Sequence, residues 1–242
     1  MNDYRQLMRE VALRCPTGRL PDDYLVVDIE TNGFNWNPKP GEKPAVVTQL
    51  GYAAVRGQKE VANSAHYVKR PPGTLKGTKA SEITGITDEM LAKMGENPGE
   101  LFSRFYDLLK LYRGSHAMFV GHNISKFDAP FLDAEFERHG IPFRFEDNSF
   151  VDTGCLYKAV QLRTFPNTSE DLHHFFMRVA NTRSRVKWKL TLAVETLGID
   201  RRFGLDLEAA HDAGFDCHIT HLLFEELRRL SDSPVDPNGK MT

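Results

Sequence analysis

Residues 25–33 read LVVDIETNG, and the two acids in that run decide how the rest of the chain is read. Leu25, Val26, Val27 and Ile29 are apolar enough for a buried strand. Side chains alternate along a strand, so Asp28 and Glu30, two positions apart, share one face. Carboxylates held that close repel each other and lose solvation unless something positive lies between them. A strand-end ion pair or a helix cap would satisfy either acid alone. The remaining sequence has to name the partner.

A chain of 242 residues, 40% hydrophobic and 26% charged, is long enough to bury a core and ordinary for a globular protein. A net charge of −2 argues against wholesale polyanion binding, though an average can hide a basic patch. Cys15, Cys155 and Cys217 form no paired spacing, so neither a disulfide framework nor a cysteine zinc site is expected. No apolar run approaches the ~18 residues of a membrane span. The N-terminal run MNDYRQLMREVALRC is too charged for a signal peptide. A reduced, cytoplasmic setting is the expectation.

Tyr4, Leu7, Met8 and Val11 recur at helical spacing, predicting a short amphipathic helix, and Pro16, Gly18 and Pro21 follow as a linker. After the strand at 25–30, a loop rich in Pro, Gly and Asn leads to AVVTQLGYAAV (45–55) and VANSAHYVKR (61–70), two strands of a hairpin. A short helix near residue 90, a helix ending about Tyr112 and the buried strand AMFV (117–120) come next. Then follow a helix over Phe127–His139, the strand NSFVDT (148–153), some helix around EDLHHFFMRVA (170–180), LTLAVETLGI (190–199) and a long last helix through HITHLLFEELRRL (218–230). This order predicts an α/β fold: a mixed central sheet of about five strands, helices on both faces, and the strand of Asp28 and Glu30 at its centre. The expected organisation is a helical extension and linker over 1–20, one domain over 21–230, and a flexible tail over 231–242.

Two further segments bear on the acids. In AMFVGHNISKFDAPFL (117–132), Asp128 falls at the start of a helix, where it either complements the helix N-terminus or faces an ion. In AAHDAGFDCHITHLL (209–223), His211 precedes Asp216 by five positions, too many for one helical face. His211 is therefore placed in the turn before the helix, with Gly214 easing a bend. A loop imidazole beside a helix-borne carboxylate suits a general base, whereas singly each would pass for an ordinary surface group.

Together these motifs resemble the DnaQ-like (DEDDh) 3′–5′ exonucleases of the ribonuclease H-like superfamily. The likeness rests on D-x-E before an NG-containing loop, G-H-N…F-D after a strand, and H-x-x-x-x-D opening the last helix. VTQLGYAAV, ITGITDEML, VDTGCLY and LTLAVETLGI are similar to the family's intervening segments, so the resemblance covers about residues 25–230. It implies a ribonuclease H-like fold and a metal-dependent 3′–5′ exonuclease releasing 5′-mononucleotides from DNA or RNA. Asp28, Glu30, Asp128 and Asp216 would hold two divalent cations, Mg²⁺ or Mn²⁺, with His211 as general base. An imidazole titrating near about 6.5 suits that role. Thr31, Asn32, Gly33 and Phe34 would bind the 3′-terminal nucleotide, with Phe34 against the base or else in the core. The implied partner is a single-stranded nucleic acid with a free 3′ end. The resemblance leaves room for a second copy of the chain or for a polymerase beside it. The rival functions are a non-catalytic nucleic-acid-binding module on the same fold and a small-nucleotide phosphohydrolase.

Other residues are set apart. Asp133 and Glu135 are expected as solvated helix charges and Asp152 as structural. His218 and His221, near Cys217, lack the patterning of a zinc site, and His173 and His174, adjacent on a helix, would diverge and share no role. Met177–Lys189 holds Arg178, Arg183, Arg185, Lys187 and Lys189 around Trp188 without an acid. It is either a grip on a phosphate backbone with a stacking aromatic or a solvated loop.

Overall fold

A computed structural model describes residues 2–74, 76, 78–114, 118–145 and 150–232. Its elements run α1 (Asn2–Arg14), β1 (Tyr24–Thr31), β2 (Val47–Arg56), β3 (Lys59–Tyr67), α2 (Thr78–Thr84), α3 (Asp88–Met94) and α4 (Pro98–Gly114). Then come β4 (Met118–Gly121), α5 (Asp128–Arg138), β5 (Phe150–Asp152), α6 (Thr153–Leu162) and α7 (Leu172–Asn181). The last are α8 (Leu190–Thr196), α9 (Ile199–Phe203) and α10 (Ala213–Asp232). The expected tail from residue 233 onward, and the first two residues of the expected fifth strand, lie outside the described residues.

The strands form one sheet in the order β3-β2-β1-β4-β5. β1 is antiparallel to β2 and parallel to β4, so the sheet is mixed, with β1 at its centre. The β2–β3 hairpin turns through Gly57 and Gln58, with Arg56 opposite Lys59. Both turn residues have positive φ, +52° and +65°, as a two-residue turn matching strand twist requires. β3 is a largely exposed edge of Lys59, Glu60, Asn63 and Ser64, polar enough to discourage pairing with another chain.

Helices cover both faces, because neighbouring residues of β2 point opposite ways. At Gly51 an added Cβ would meet the Ala213 carbonyl of α10 at 2.3 Å. At Tyr52 the ring stacks on Phe105 of α4, 5.7 Å between centroids. Tyr24 of β1 reaches α10 as well, bonding His221 and Glu225 at 2.7 Å each. The N-terminal helix is built into this core: Leu7, Met8 and Val11 are buried with β1, and Arg14 Nε donates to the Glu170 carbonyl at 2.8 Å.

Two expectations fail. Glu135 is buried, its carboxylate accepting from the Val47 amide at 3.3 Å and pairing with Arg138 at 2.5 Å. It stands four residues after Phe131, on the stripe that α5 turns to the core. Asp133 is half-buried and accepts from the Phe145 amide at 3.3 Å; burial pushes its carboxyl up to about 6. Residues 158–189 hold the second half of α6 and all of α7, helices capped by Asp152 and Asp171 through the Cys155 and His174 amides.

Candidate active site

β1 delivers its two acids by alternation: Ile29 and Thr31 are buried while Asp28 and Glu30 keep partial access to solvent. Asp128, the first residue of α5, is almost wholly buried, and its Oδ1 accepts the Ile29 amide at 3.0 Å. That bond fixes the start of α5 to the strand between the two β1 acids. Asp216 sits in the first turn of α10, also buried. Its Oδ2 accepts the His211 amide at 3.2 Å, while its Oδ1 is buried without a partner.

His211 has φ +73°, a left-handed backbone for a non-glycine residue, so the sharp turn before α10 falls on the histidine itself. The expected bend at Gly214 is absent: Gly214 lies inside α10, where a Cβ would crowd Ala65 at 3.1 Å. The turn leaves the imidazole half exposed, with Nδ1 3.7 Å from Glu30 Oε1. Ligand atoms of Glu30, His211 and Asp216 all lie within 4.8 Å of one another.

Burial and mutual repulsion keep these carboxyls protonated far above the ordinary range. For Asp28 burial comes first, then the charges of Asp216, Asp128 and Glu30, and the shift is large. Glu30 is pushed up to about 8 by burial and then by Asp216 and Asp128. Asp128 rises to about 8 through burial despite the Ile29 amide, and Asp216 to about 7 through burial and Asp212. Such clustering of raised acids marks functional sites more often than structural ones. All the carboxylate donors are hard oxygens, one of them orphaned, and a divalent cation would relieve both the repulsion and the missing partner.

Sequence reasoning missed Gln49 and Asp212. Gln49, opposite Glu30 in the β1–β2 register, is almost wholly buried. Its Nε2 donates to Asp212 Oδ2 at 2.8 Å and its Oε1 accepts the Ala213 amide at 3.0 Å. Asp212 in turn accepts the Phe215 amide at 3.0 Å, capping α10. Strand β2 thus clasps the N-terminus of α10 and sets where His211 and Asp216 stand. The available signal was a glutamine inside an otherwise apolar strand.

Beyond Glu30 the chain is held by its own side chains. Thr31 Oγ1 donates to the Gly33 carbonyl at 2.6 Å, and Asn32 Oδ1 accepts the Val46 amide at 2.7 Å. Both residues are buried, whereas Phe34 is 83% exposed, its ring resting edge-on against Phe127 at 6.2 Å. Phe34 is not a core residue. The histidines set apart earlier are engaged elsewhere: His218 with Glu60 at 2.9 Å, His221 with Tyr24, and His174 with Asp171 at 2.7 Å.

The profile of the exonuclease family (RNase_T) matches residues 25–185. The PolC-type DNA polymerase III of Lacticaseibacillus paracasei is 30% identical over 136 residues, which are 54% of this chain and 8% of that protein. The PolC-type enzyme of Mycoplasma genitalium is 29% identical over 140 residues, 57% of this chain and 8% of that one. The chain therefore spans only a small fraction of these curated relatives. Among solved structures, E. coli exonuclease I in complex with a dA16 oligonucleotide superposes with a TM-score of 0.61 at 18% identity, covering 87% of this chain and 41% of that one. The zinc-ion-bound E. coli ExoI–ssDNA complex gives 0.60 at 19% identity, with the same coverage. These are likenesses of fold, and the five-stranded mixed sheet is the ribonuclease H-like one. Among the described residues no helix is long and apolar enough to cross a membrane.

Proposed function

The chain belongs to the exonuclease family, and we propose that it hydrolyses the terminal phosphodiester at the 3′ end of a single-stranded nucleic acid, releasing 5′-mononucleotides. The observation that carries this reading is the meeting of Glu30, His211 and Asp216, from opposite ends of the chain, within 4.8 Å. The solved oligonucleotide complexes of E. coli exonuclease I, similar in fold, support the substrate class.

Asp28, Glu30, Asp128 and Asp216 are the residues that would hold divalent cations, Mg²⁺ or Mn²⁺. Such ions, when bound, stabilise the negative charge that develops on the phosphodiester oxygens. The chain's own side chains do the rest. His211, at the lip of the cleft, takes the proton from the attacking water, and the Glu30 carboxylate beside it stabilises the resulting imidazolium. The Ile29 amide holds Asp128, and the His211 amide holds Asp216, so neither acid swings away. Thr31 and Asn32 stiffen the loop, and Phe34 offers its exposed ring to the terminal base.

A 5′-labelled oligonucleotide incubated with Mg²⁺ or Mn²⁺ should shorten from its 3′ end as a ladder, stop on chelation, and stay intact with the Asp28→Asn variant. An intact oligonucleotide with the wild type, or equal rates in the variant, would refute the proposal.

A further inference from the structure

The basic stretch 177–189 divides into two parts. Arg178 is committed: its Nε and Nη2 meet Glu170 at 2.7 and 2.6 Å. Arg183, Arg185, Lys187 and Lys189 are all exposed, and none has an ion-pair partner among the described residues. They ride on the connection between α7 and α8, which begins and ends in extended backbone, at Thr182 (φ −64°, ψ 117°) and Lys189 (φ −62°, ψ 148°).

This connection is tied down at both ends. Lys158 Nζ donates to the Ala180 and Thr182 carbonyls at 3.0 Å each, and Lys126 Nζ to Asn181 Oδ1 at 2.9 Å. His122 Nε2 donates to the Trp188 carbonyl at 2.8 Å. The Trp188 ring turns inward beneath Lys158, 4.8 Å from its ammonium, and a Cβ on Gly154 would lie 3.0 Å from it. The tryptophan therefore anchors the segment and is not free to stack a base.

His122 and Lys126 belong to the turn that leads from β4 to Asp128. The two ends of the segment are thus moored to the turn that places Asp128. Four exposed cations, without ion-pair partners among the described residues and carried on a connection fixed at both ends, are complementary to phosphates and to no feature of the bases. Resting on the exonuclease reading of the cleft, we propose that Arg183, Arg185, Lys187 and Lys189 form a rail gripping the sugar–phosphate backbone of the strand whose 3′ end occupies the cleft.

The test replaces all four cations (Arg183→Gln, Arg185→Gln, Lys187→Gln, Lys189→Gln). Binding of a fluorescent single-stranded 16-mer is measured under chelation at several salt concentrations, so it does not depend on catalysis. Each neutralised phosphate contributes about 0.7 to the salt slope of a single strand. The variant should bind at least about tenfold more weakly at low salt, with a slope shallower by about two to three. With metal restored, KM for the oligonucleotide should rise far more than KM for the p-nitrophenyl ester of thymidine 5′-monophosphate, which has no upstream phosphates. Equal affinity and slope in variant and wild type would overturn the rail. A wild type that binds with the steep slope yet hydrolyses neither substrate would keep the rail and overturn the exonuclease reading instead.

Discussion

Asp152 and Asp128 are both buried acids at helix starts on the same end of the sheet, and they live in opposite conditions. Asp152 accepts the amides of Asn123, Ser125 and Cys155 at 3.0, 3.1 and 2.9 Å, and the Ser125 hydroxyl besides. Asp128 accepts one amide from β1 and faces the charges of Asp152 and Asp216. A carboxylate surrounded by donors stabilises the fold by satisfying the turn around it. A carboxylate surrounded by other carboxylates weakens the fold unless a cation joins them. Donor count, not burial, separates the acid that holds the turn after β4 from the acids that form the cleft.

Substitution is the strongest way to break this contrast. Asp152→Ala strands buried donors, each costing about 1–3 kcal/mol, so urea denaturation should show a loss of at least about 3 kcal/mol or no folded protein. Asp28→Asn should do the reverse under chelation, leaving stability equal or higher because an amide needs no proton to sit uncharged among the other acids. A marked loss of stability in Asp28→Asn would mean that the cleft acids are structural, and the contrast would collapse.

Proton linkage sharpens the contrast next. Glu30, Asp128 and Asp216 titrate at about 8, 8 and 7 in the folded chain, against about 4 in an unfolded one. Between those values the folded state binds more protons than the unfolded state, so stability falls as pH rises. Under chelation the melting temperature should drop by several degrees from pH 5 to pH 8. Added Mn²⁺ should remove the drop, since an ion bound only by the folded state stabilises it. A melting temperature that climbs over the same range would contradict raised carboxyls in the cleft.

The sheet was legible in the sequence because its strands are short apolar runs with turn residues between them. The alternation of Asp28 with Ile29 and Glu30 alone puts two acids on one face. What stayed illegible was contact between distant elements. Glu135 looks like any helix glutamate until the Val47 amide and Arg138 are seen against it. Gln49 gains its meaning only from the helix start it clasps across the sheet, and the turn before α10 falls on a left-handed His211 where the sequence offered Gly214. Pattern within a segment reports which face is buried; it says nothing of what stands opposite.

Two aromatics near the cleft carry the contrast to its smallest effect. Trp188 is pinned by Lys158 and His122, whereas Phe34 touches Phe127 edge-on and leaves 83% of itself to solvent. A large apolar ring costs hydration when exposed, and Phe34 leaves most of its surface to water. A base stacked on it would contribute about 1–3 kcal/mol. Phe34→Ala should therefore raise KM for an oligonucleotide about five- to tenfold, at the lower end of that range, while Phe34→Tyr, which keeps the ring face, restores it. Melting temperature should hardly move in either variant, because the ring is 83% exposed. An unchanged KM with a lower melting temperature would place Phe34 with Trp188, as an anchor and not as a platform for the base.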